Sequence, residues 1–367
     1  MTARAAPAAP AFGRFFLPGP TDVHPEVLAA MQRPMIGHRS STMEQLLAGL
    51  EAPLGRLFRT ARPVLIGTTS ATGFMEMAVR NGVRRRALSI VNGSFSDRFA
   101  GLVHACGKEC VRLDVPLGCA VEPEMLRDAL RRTPVDAVTV VHSETSTGVL
   151  QDVEGLAAVV REFDDVLLLV DAVTSLAGSP VETDRWGGGL DFVLTGSQKA
   201  LALPPGLALG VASARMVERA NTLAGRGLYF DLVSFLEATT KHQPTNTPAI
   251  SLLYALETQL ARIEREGGVA ARWDRHEAMR RRVEQWSEER GVVYLPREGR
   301  RSWTVSCLKL PDGKTAKPIV TALKQAGWTI GAGYGSLKES TIRIGHMGDH
   351  TVAALDDLLM ALGALVG

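Results

Sequence analysis

Short apolar runs alternate with amphipathic segments of helical length between residues 63 and 213. The runs are apolar at nearly every position, which is typical of parallel strands buried between two layers of helices. Helical periodicity predicts helices over residues 72–82, 96–106, 123–132 and 153–163. The predicted strands are 63–67 (PVLIG), 87–93 (ALSIVNG), 110–115 (CVRLDV), 137–144 (AVTVVHSE), 166–173 (VLLLVDAV), 191–196 (DFVLTG) and 207–213 (LALGVAS). This alternation predicts an α/β fold whose large domain contains a seven-stranded, mostly parallel sheet.

The pattern changes after Leu228. Two long helices are predicted over residues 248–266 and 269–290, since the first begins with a proline and both are followed by glycine. A smaller α+β pattern follows, with strands at 302–310, 328–333 and 341–346, a helix at 315–325 and a final helix from His350.

These patterns predict that the chain is divided into a tail, a large domain and a small domain. Residues 1–15 are rich in alanine and proline and predict a flexible tail. We expect a large domain over residues 16–255, of which 16–60 form an N-terminal arm. The small C-terminal domain, which includes the long connecting helix, is expected over residues 256–367.

Composition narrows the class of protein. The chain has 367 residues, of which 46% are hydrophobic and 22% charged, and its net charge is +2. This mixed charge argues against a nucleic-acid surface, which would show a basic stripe. The sequence predicts neither a signal peptide nor a membrane-spanning segment. The four cysteines form no C-x-x-C pair, which favours reduced thiols and a cytoplasmic protein.

Candidate chemistry lies where the predicted strands end, because ligands of parallel sheets bind at the carboxyl ends of the strands. Hydroxyl residues, Ser70 and Thr72, follow the first strand and lead into a helix. Phe95 follows the second strand, and another hydroxyl cluster follows residues 137–144. Asp171 lies at the end of the apolar run that begins at residue 166. Lys199 follows the strand predicted over residues 191–196, and no other lysine or arginine lies near it in the sequence.

Each of these features alone has an ordinary explanation, such as a helix cap for Ser70 or a core position for Phe95. Together they match the needs of pyridoxal 5′-phosphate. Its phosphate requires a helix N-terminus with hydroxyls, its ring an aromatic neighbour, its ring nitrogen a carboxylate and its aldehyde a lysine. Desolvation would also lower the pKa of such a lysine, so that it can act as a nucleophile and base near neutral pH.

Motifs in the same order along the chain resemble the class V aminotransferases of fold type I, most closely the alanine–glyoxylate and serine–pyruvate (serine–glyoxylate) aminotransferase group. The motifs that carry the resemblance are FLPGPTDVHPEVLAAM from Phe16, GHRS from Gly37, TSATGFMEMAV from Thr69, VNGSF from Val91, HSETSTGVLQDV from His142, LLLVDAVTSLAG from Leu167, TGSQKALALPPG from Thr195, NTPAISLLYAL from Asn246 and TIRIGHMG from Thr341.

The resemblance implies a role for each matching residue. Lys199 binds the cofactor covalently, and Asp171 pairs with its ring nitrogen. The other cofactor contacts that it implies are Ser70, Ala71 and Thr72 at the phosphate, Phe95 and Val173 on the two faces of the ring, Thr145 near the ring oxygen and Gln198 beside Lys199. Thr247 matches a residue that reaches the phosphate of the neighbouring subunit, which implies a homodimer with shared sites. Arg343 matches the residue that binds the substrate carboxylate, and Gly37 lies near the substrate entrance.

The implied activity is a transamination in which a small amino acid, alanine or serine, gives its amino group to glyoxylate or pyruvate. Several alternatives remain open at this stage. One is a cysteine desulfurase, for which Cys307 is the candidate on the C-terminal side, although the pattern places it in a strand. A lyase, an aminoethylphosphonate transaminase and a non-catalytic relative of the same fold are the others. No metal site is expected, since His346 and His350 have glycine between them and no H-E-x-x-H motif occurs.

Overall fold

The structure, a computed structural model, describes residues 11–366. Residues 1–10 of the predicted tail lie outside this range. Among the described residues the strands, in chain order, are β1 (Phe15–Phe16), β2 (Val64–Gly67), β3 (Arg86–Val91), β4 (Glu109–Asp114), β5 (Ala137–Val141), β6 (Ser143–Glu144), β7 (Val149–Leu150), β8 (Leu167–Asp171), β9 (Phe192–Gly196), β10 (Ala208–Ala212), β11 (Val293–Tyr294), β12 (Ser306–Lys309), β13 (Thr329–Ala332) and β14 (Thr341–Ile344).

The described residues also form twelve α-helices. In order they are α1 (Pro25–Ala30), α2 (Ser41–Phe58), α3 (Ala71–Gly82), α4 (Ser94–Ala105), α5 (Pro123–Arg132), α6 (Val153–Val160), α7 (Ala214–Asn221), α8 (Leu232–Thr240), α9 (Ile250–Glu266), α10 (Gly268–Glu289), α11 (Ala316–Gln325) and α12 (Val352–Val366). No helix within residues 11–366 combines the length and the apolar character that a membrane crossing requires.

The seven predicted strands form one sheet in the order β2-β10-β9-β8-β5-β3-β4. Neighbouring strands pair in parallel except β10, which is antiparallel to both β2 and β9. The prediction of a seven-stranded, mostly parallel sheet is therefore confirmed. Two separate apolar clusters cover its two faces, as expected for a sheet between helical layers. Because β2 and β9 run in the same direction as β8, β5 and β3, the loops that follow all five strands meet at one edge.

A second sheet has five strands in the order β1-β13-β14-β12-β11 and packs on its own apolar cluster with α10, α11 and α12. Its first strand corrects the prediction. The sequence predicts a flexible tail that includes Phe15 and a large domain that includes Phe16, but the two residues pair in parallel with Thr329 and Ile330 of β13. Phe16 is fully buried there, which gives this short segment a reason to be ordered.

The strand predicted over residues 302–310 is also shorter than expected, since β12 begins at Ser306. The residues before it form side-chain hydrogen bonds in place of strand pairing. Ser302 Oγ bonds Ser143 Oγ at 2.7 Å, and Thr304 Oγ1 donates to the carbonyl of Thr174 at 2.9 Å. These bonds tie the segment to the loops at the edge of the large sheet.

Candidate active site

Nine of the predicted cofactor residues line a single cavity of about 160 Å³ at the carboxyl edge of the large sheet. They are Ser70, Ala71, Thr72, Phe95, Thr145, Asp171, Val173, Gln198 and Lys199. The arrangement follows from topology, because each residue comes shortly after β2, β3, β5, β8 or β9, or ends one of them.

Lys199 lies three residues after β9, a strand in which every residue is buried. Its side chain is itself buried, with 6% of its surface exposed. The amine donates a hydrogen bond to the carbonyl of Pro18 and lies 5.5 Å from the centroid of the Phe95 ring. Burial, followed by the charge of Arg343, lowers the pKa of Lys199 to about 7. A large fraction of this amine is therefore neutral near pH 7 and available as a nucleophile.

Asp171 is the last residue of β8 and is 3% exposed. One carboxyl oxygen accepts a hydrogen bond from the backbone N–H of Val173 at 2.8 Å. Burial raises the pKa of Asp171 to about 7, and the nearby Glu144 adds to this effect. Among the described residues Asp171 has no cation within salt-bridge distance, so its negative charge is compensated only weakly.

The start of helix α3 contributes hydrogen-bond donors to the cavity. Ser70 is the N-cap, but its hydroxyl does not bond the backbone of the helix. The first backbone N–H groups of a helix have no partner within it, and the helix dipole adds positive potential at this end. Ser70 and Thr72, which both carry hydroxyls, are among the residues that line the cavity at this helix start. This end of the cavity is suited to an anion.

Arg343 lies on β14 of the second sheet and reaches the loops of the first. Its Nε donates to the carbonyl of Ala332 at 2.9 Å, and one terminal nitrogen donates to the carbonyl of Thr145 at 3.2 Å. A guanidinium has five N–H donors, so three remain for a bound ligand. Burial lowers the pKa of Arg343 from its usual value, although an arginine remains charged.

Three predicted residues do not line the Lys199 cavity: Arg343, which bonds its wall at Thr145, and two others that lie in loops. Thr247 is exposed in the loop between α8 and α9, and Gly37 is exposed in the loop between α1 and α2. Neither lines the cavity that contains Lys199. Within a single chain the structure therefore does not bring them to the other candidates.

Glu144 is a residue that the sequence analysis did not select. This fully buried carboxylate accepts hydrogen bonds from the backbone N–H groups of Phe95 and Ser96 and from the hydroxyls of Ser96 and Ser146, the last at 2.6 Å. It thus fixes the start of α4, from which Phe95 projects. An acid at the end of a predicted strand is the available signal, as it is for Asp171.

The N-terminal arm also contributes to the site. Gly19 has a φ of +107°, and a Cβ at this position would lie 2.4 Å from Cδ of Lys199. A side chain here would collide with the lysine, so the backbone of the arm forms part of the wall around it.

Cys307 has surroundings that do not suit a nucleophile. It is fully buried on β12, and burial raises the pKa of its thiol to about 11. A reactive cysteine needs an accessible thiolate, so the structure argues against the desulfurase alternative. No group of three or more metal-ligating side chains is found within residues 11–366.

Comparison with known proteins shows that this chain is similar to class V aminotransferases over most of its length. The sequence profile of the family described as "Aminotransferase class-V" matches residues 100–356. A protein from Methanocaldococcus jannaschii, named as an uncharacterized aminotransferase, is 37% identical over 90% of this chain and 87% of its own length. A protein from a Synechococcus species, named as the small subunit of a soluble hydrogenase, is 33% identical over 95% of this chain and 91% of its own. An L-aspartate–glyoxylate aminotransferase from Paracoccus denitrificans is 32% identical, covering 92% of this chain and 87% of its own.

Solved structures show the same similarity in three dimensions. The crystal structure of an alanine–glyoxylate aminotransferase from a Nostoc species superimposes with a TM-score of 0.92. The match covers 100% of this chain and 98% of the other, at 29% sequence identity.

Proposed function

This chain belongs to the class V aminotransferases, and from that premise we propose that it transfers the amino group of alanine or serine to glyoxylate or pyruvate. That it is a transaminase dependent on pyridoxal 5′-phosphate follows from the family. The identities of donor and acceptor and the roles of the individual residues are the proposal.

The side chains around Lys199 fit the cofactor. The start of α3, with Ser70, Ala71 and Thr72, would hold the phosphate. Asp171 would hold the ring nitrogen, and a protonated nitrogen would provide the positive charge that this buried carboxylate lacks. Further contacts would come from Phe95 and Val173 at the ring, Thr145 at its oxygen and Gln198 beside Lys199, the residue that would hold the aldehyde carbon. When bound, the cofactor supplies the electron sink that transamination requires.

Each chain group then has a defined task. With the substrate in place, the neutral amine of Lys199 would act as the general base that takes the proton from the substrate Cα. Asp171 would keep the ring nitrogen of the bound cofactor protonated, which would favour this proton transfer. Arg343 binds the carboxylate through its free N–H groups and orients the substrate Cα toward Lys199.

The observation that carries the proposal is the link between Arg343 and the Lys199 cavity. Arg343 is fixed by the carbonyl of Thr145, a residue that lines the cavity itself. Amino acids and 2-oxo acids share a carboxylate beside the reacting carbon, so one guanidinium serves both halves of the exchange. The choice of glyoxylate is supported by the names of similar proteins that act on it, with alanine or aspartate as donor.

The test is a matrix of donors and acceptors measured on the purified enzyme. Alanine, serine, glycine, aspartate and aminoethylphosphonate are each paired with glyoxylate and with pyruvate. We expect the highest kcat/KM for alanine or serine with glyoxylate or pyruvate, and Lys199→Ala should abolish both turnover and the visible absorbance of the bound cofactor. Ammonia release without a 2-oxo acid would identify a lyase, and a strong preference for aspartate or aminoethylphosphonate would refute the proposed donor.

We also propose a homodimer with shared sites, in the cytoplasm. The family resemblance implies that Thr247 contacts a second subunit, and its exposure outside its own cavity leaves it accessible for that contact. The four cysteines, all within the described residues, form no disulfide, which suits a reducing compartment.

A further inference from the structure

Tyr334 lies between β13 and β14 and contacts both a cofactor-site residue and the carboxylate-site residue. Its ring centroid is 5.8 Å from that of Phe95, with the planes tilted by 39°. On the other side, the guanidinium carbon of Arg343 lies 5.5 Å from the centroid of the Tyr334 ring. Tyr334 is 40% exposed, which places it toward the open side of the site.

The loop that carries Tyr334 has a defined conformation. Gly333 permits no side chain, because a Cβ there would lie 1.9 Å from the carbonyl oxygen of Leu337, and Gly335 has a φ of +56°. The N–H of Gly333 donates to the carbonyl of Thr341 at 2.8 Å, and the N–H of Leu337 donates to the carbonyl of Tyr334 at 3.0 Å. The ring is therefore presented by a loop whose path is fixed on both sides of it.

We propose that Tyr334 is a positioning residue that holds the guanidinium of Arg343 for the substrate carboxylate. This inference rests on the proposed role of Arg343. The carbonyls of Ala332 and Thr145 bond two N–H groups at the edge of the guanidinium, whereas the Tyr334 ring interacts with the cation across its π-face. With the cation held in this way, less side-chain entropy is lost when the carboxylate binds.

The geometry predicts a specific kinetic effect. The same guanidinium binds the amino acid and the 2-oxo acid, so loss of the ring should raise both KM values together. A cation–π contact of this kind corresponds to about a 3- to 30-fold change in affinity. Groups that move the proton are unaffected, so kcat should change by less than about 3-fold.

The experiment compares Tyr334→Leu, which removes the aromatic face, with Tyr334→Phe, which retains it. We expect Leu to raise both KM values about 3- to 30-fold and Phe to retain the wild-type values, with the same visible absorbance of bound cofactor in both. Ser336→Ala, in the same loop, serves as the matched control. Unchanged KM values in the Leu variant, a fall in kcat alone, or equal losses in Phe and Leu would each overturn the proposal.

A double-mutant cycle separates this inference from the proposed function. In an Arg343→Gln background the ring has no guanidinium to hold, so Tyr334→Leu should then change KM by less than about 2-fold. If Arg343→Gln alone leaves KM unchanged, the carboxylate role of Arg343 fails. If Arg343→Gln raises KM and the Tyr334→Leu effect persists unchanged in its presence, only the role of Tyr334 fails.

Discussion

Lys199 and Asp171 are buried titratable groups whose pKa values shift in opposite directions for the same reason. Burial disfavours the charged form of each, so the pKa of the amine falls to about 7 and that of the carboxyl rises to about 7. Both groups thus become sensitive to pH in the range where an aminotransferase works. This sensitivity can be measured as a pH dependence of stability in the cofactor-free protein.

Lys199→Met should stabilise the cofactor-free protein most at low pH. Between pH 7 and 10.5 the unfolded chain holds the Lys199 proton and the folded chain does not, so wild-type stability rises with pH across this window. The advantage of the variant should therefore be largest below pH 7 and fade as the pH approaches 10.5. The free energy of unfolding by urea at pH 6 and pH 9.5 measures it.

Asp171→Asn provides a control of opposite sign. The folded pKa of Asp171 is raised, so wild-type stability falls as the pH rises from about 4 to 7, and the advantage of the variant should grow over that window. If both variants showed the same pH trend, or none, the two groups would not be buried in the way described.

At the residue scale, the sequence is informative where a residue type is out of place. A lone lysine and an acid at the ends of apolar runs could be selected without a structure, and so could hydroxyls at a helix start. Glu144 carries the same signal, an acid at a strand end, but neither its capping role nor the role of Tyr334 could be predicted from the sequence. Their significance comes from contacts with Arg343 and with the start of α4, which are distant in sequence and depend on how the two sheets pack.

Helix α4 illustrates how an element positions a functional side chain. Glu144 accepts the backbone N–H groups at its start, so its carboxylate takes the place of a capping side chain within the helix. Glu144→Gln keeps the shape of the side chain but replaces one acceptor oxygen with an NH₂ group. This group would face the N–H and O–H donors that now bond the carboxylate. We expect a loss of about 1–3 kcal/mol in the free energy of unfolding, measured by urea denaturation.

Glu124→Gln is the matched control, because Glu124 is an exposed residue of α5 that pairs with Arg127 at the surface. It should change stability by less than about 1 kcal/mol. Equal effects of the two substitutions would contradict a capping role for Glu144.

The N-terminal arm offers a second prediction at this scale. Gly19→Ala places a Cβ against the Lys199 side chain, so it should weaken cofactor binding by at least about 10-fold, through the combined cost of backbone strain and collision. Gly13→Ala is the control, since Gly13 has a φ of +89° but a Cβ at this position would meet no other atom within 4 Å. Cofactor dissociation constants, measured by absorbance, compare the two. If Gly13→Ala weakens binding as much, strain alone explains the effect.

The prediction of elements succeeded where burial imposes a pattern. Six strands of the large sheet are almost wholly buried and have apolar sequences, which is why they could be predicted. The seventh, the edge strand β4, is partly exposed, and its short run CVRLDV was enough to predict it. Strand β1 has two residues and no pattern, and it is ordered only because Phe16 packs into a cluster formed by the C-terminal part of the chain. The run at 302–305 looks like a strand, but hydroxyl bonds to the facing loops replace ladder pairing there.

At the scale of the whole molecule, the proposed homodimer predicts that a complete site needs residues of two chains. Thr247 is exposed and lies outside the Lys199 cavity of its own chain. If sites are shared, Thr247 of one subunit meets the phosphate bound by the other. Thr247→Glu should then impair cofactor binding at the partner's site, because it sets a negative charge against the phosphate.

Mixed dimers distinguish the two arrangements. A subunit with Lys199→Ala and a subunit with Thr247→Glu are co-expressed with different tags, and the hybrid is purified on both. With shared sites, one site combines the intact Lys199 of one subunit with the intact Thr247 of the other, so the hybrid should recover about half of the wild-type activity. A hybrid of wild type with a chain carrying both substitutions should instead have no complete site, because each site then contains one altered residue. If the first hybrid stayed as inactive as its parents while the second kept half of the activity, each chain would form its site alone.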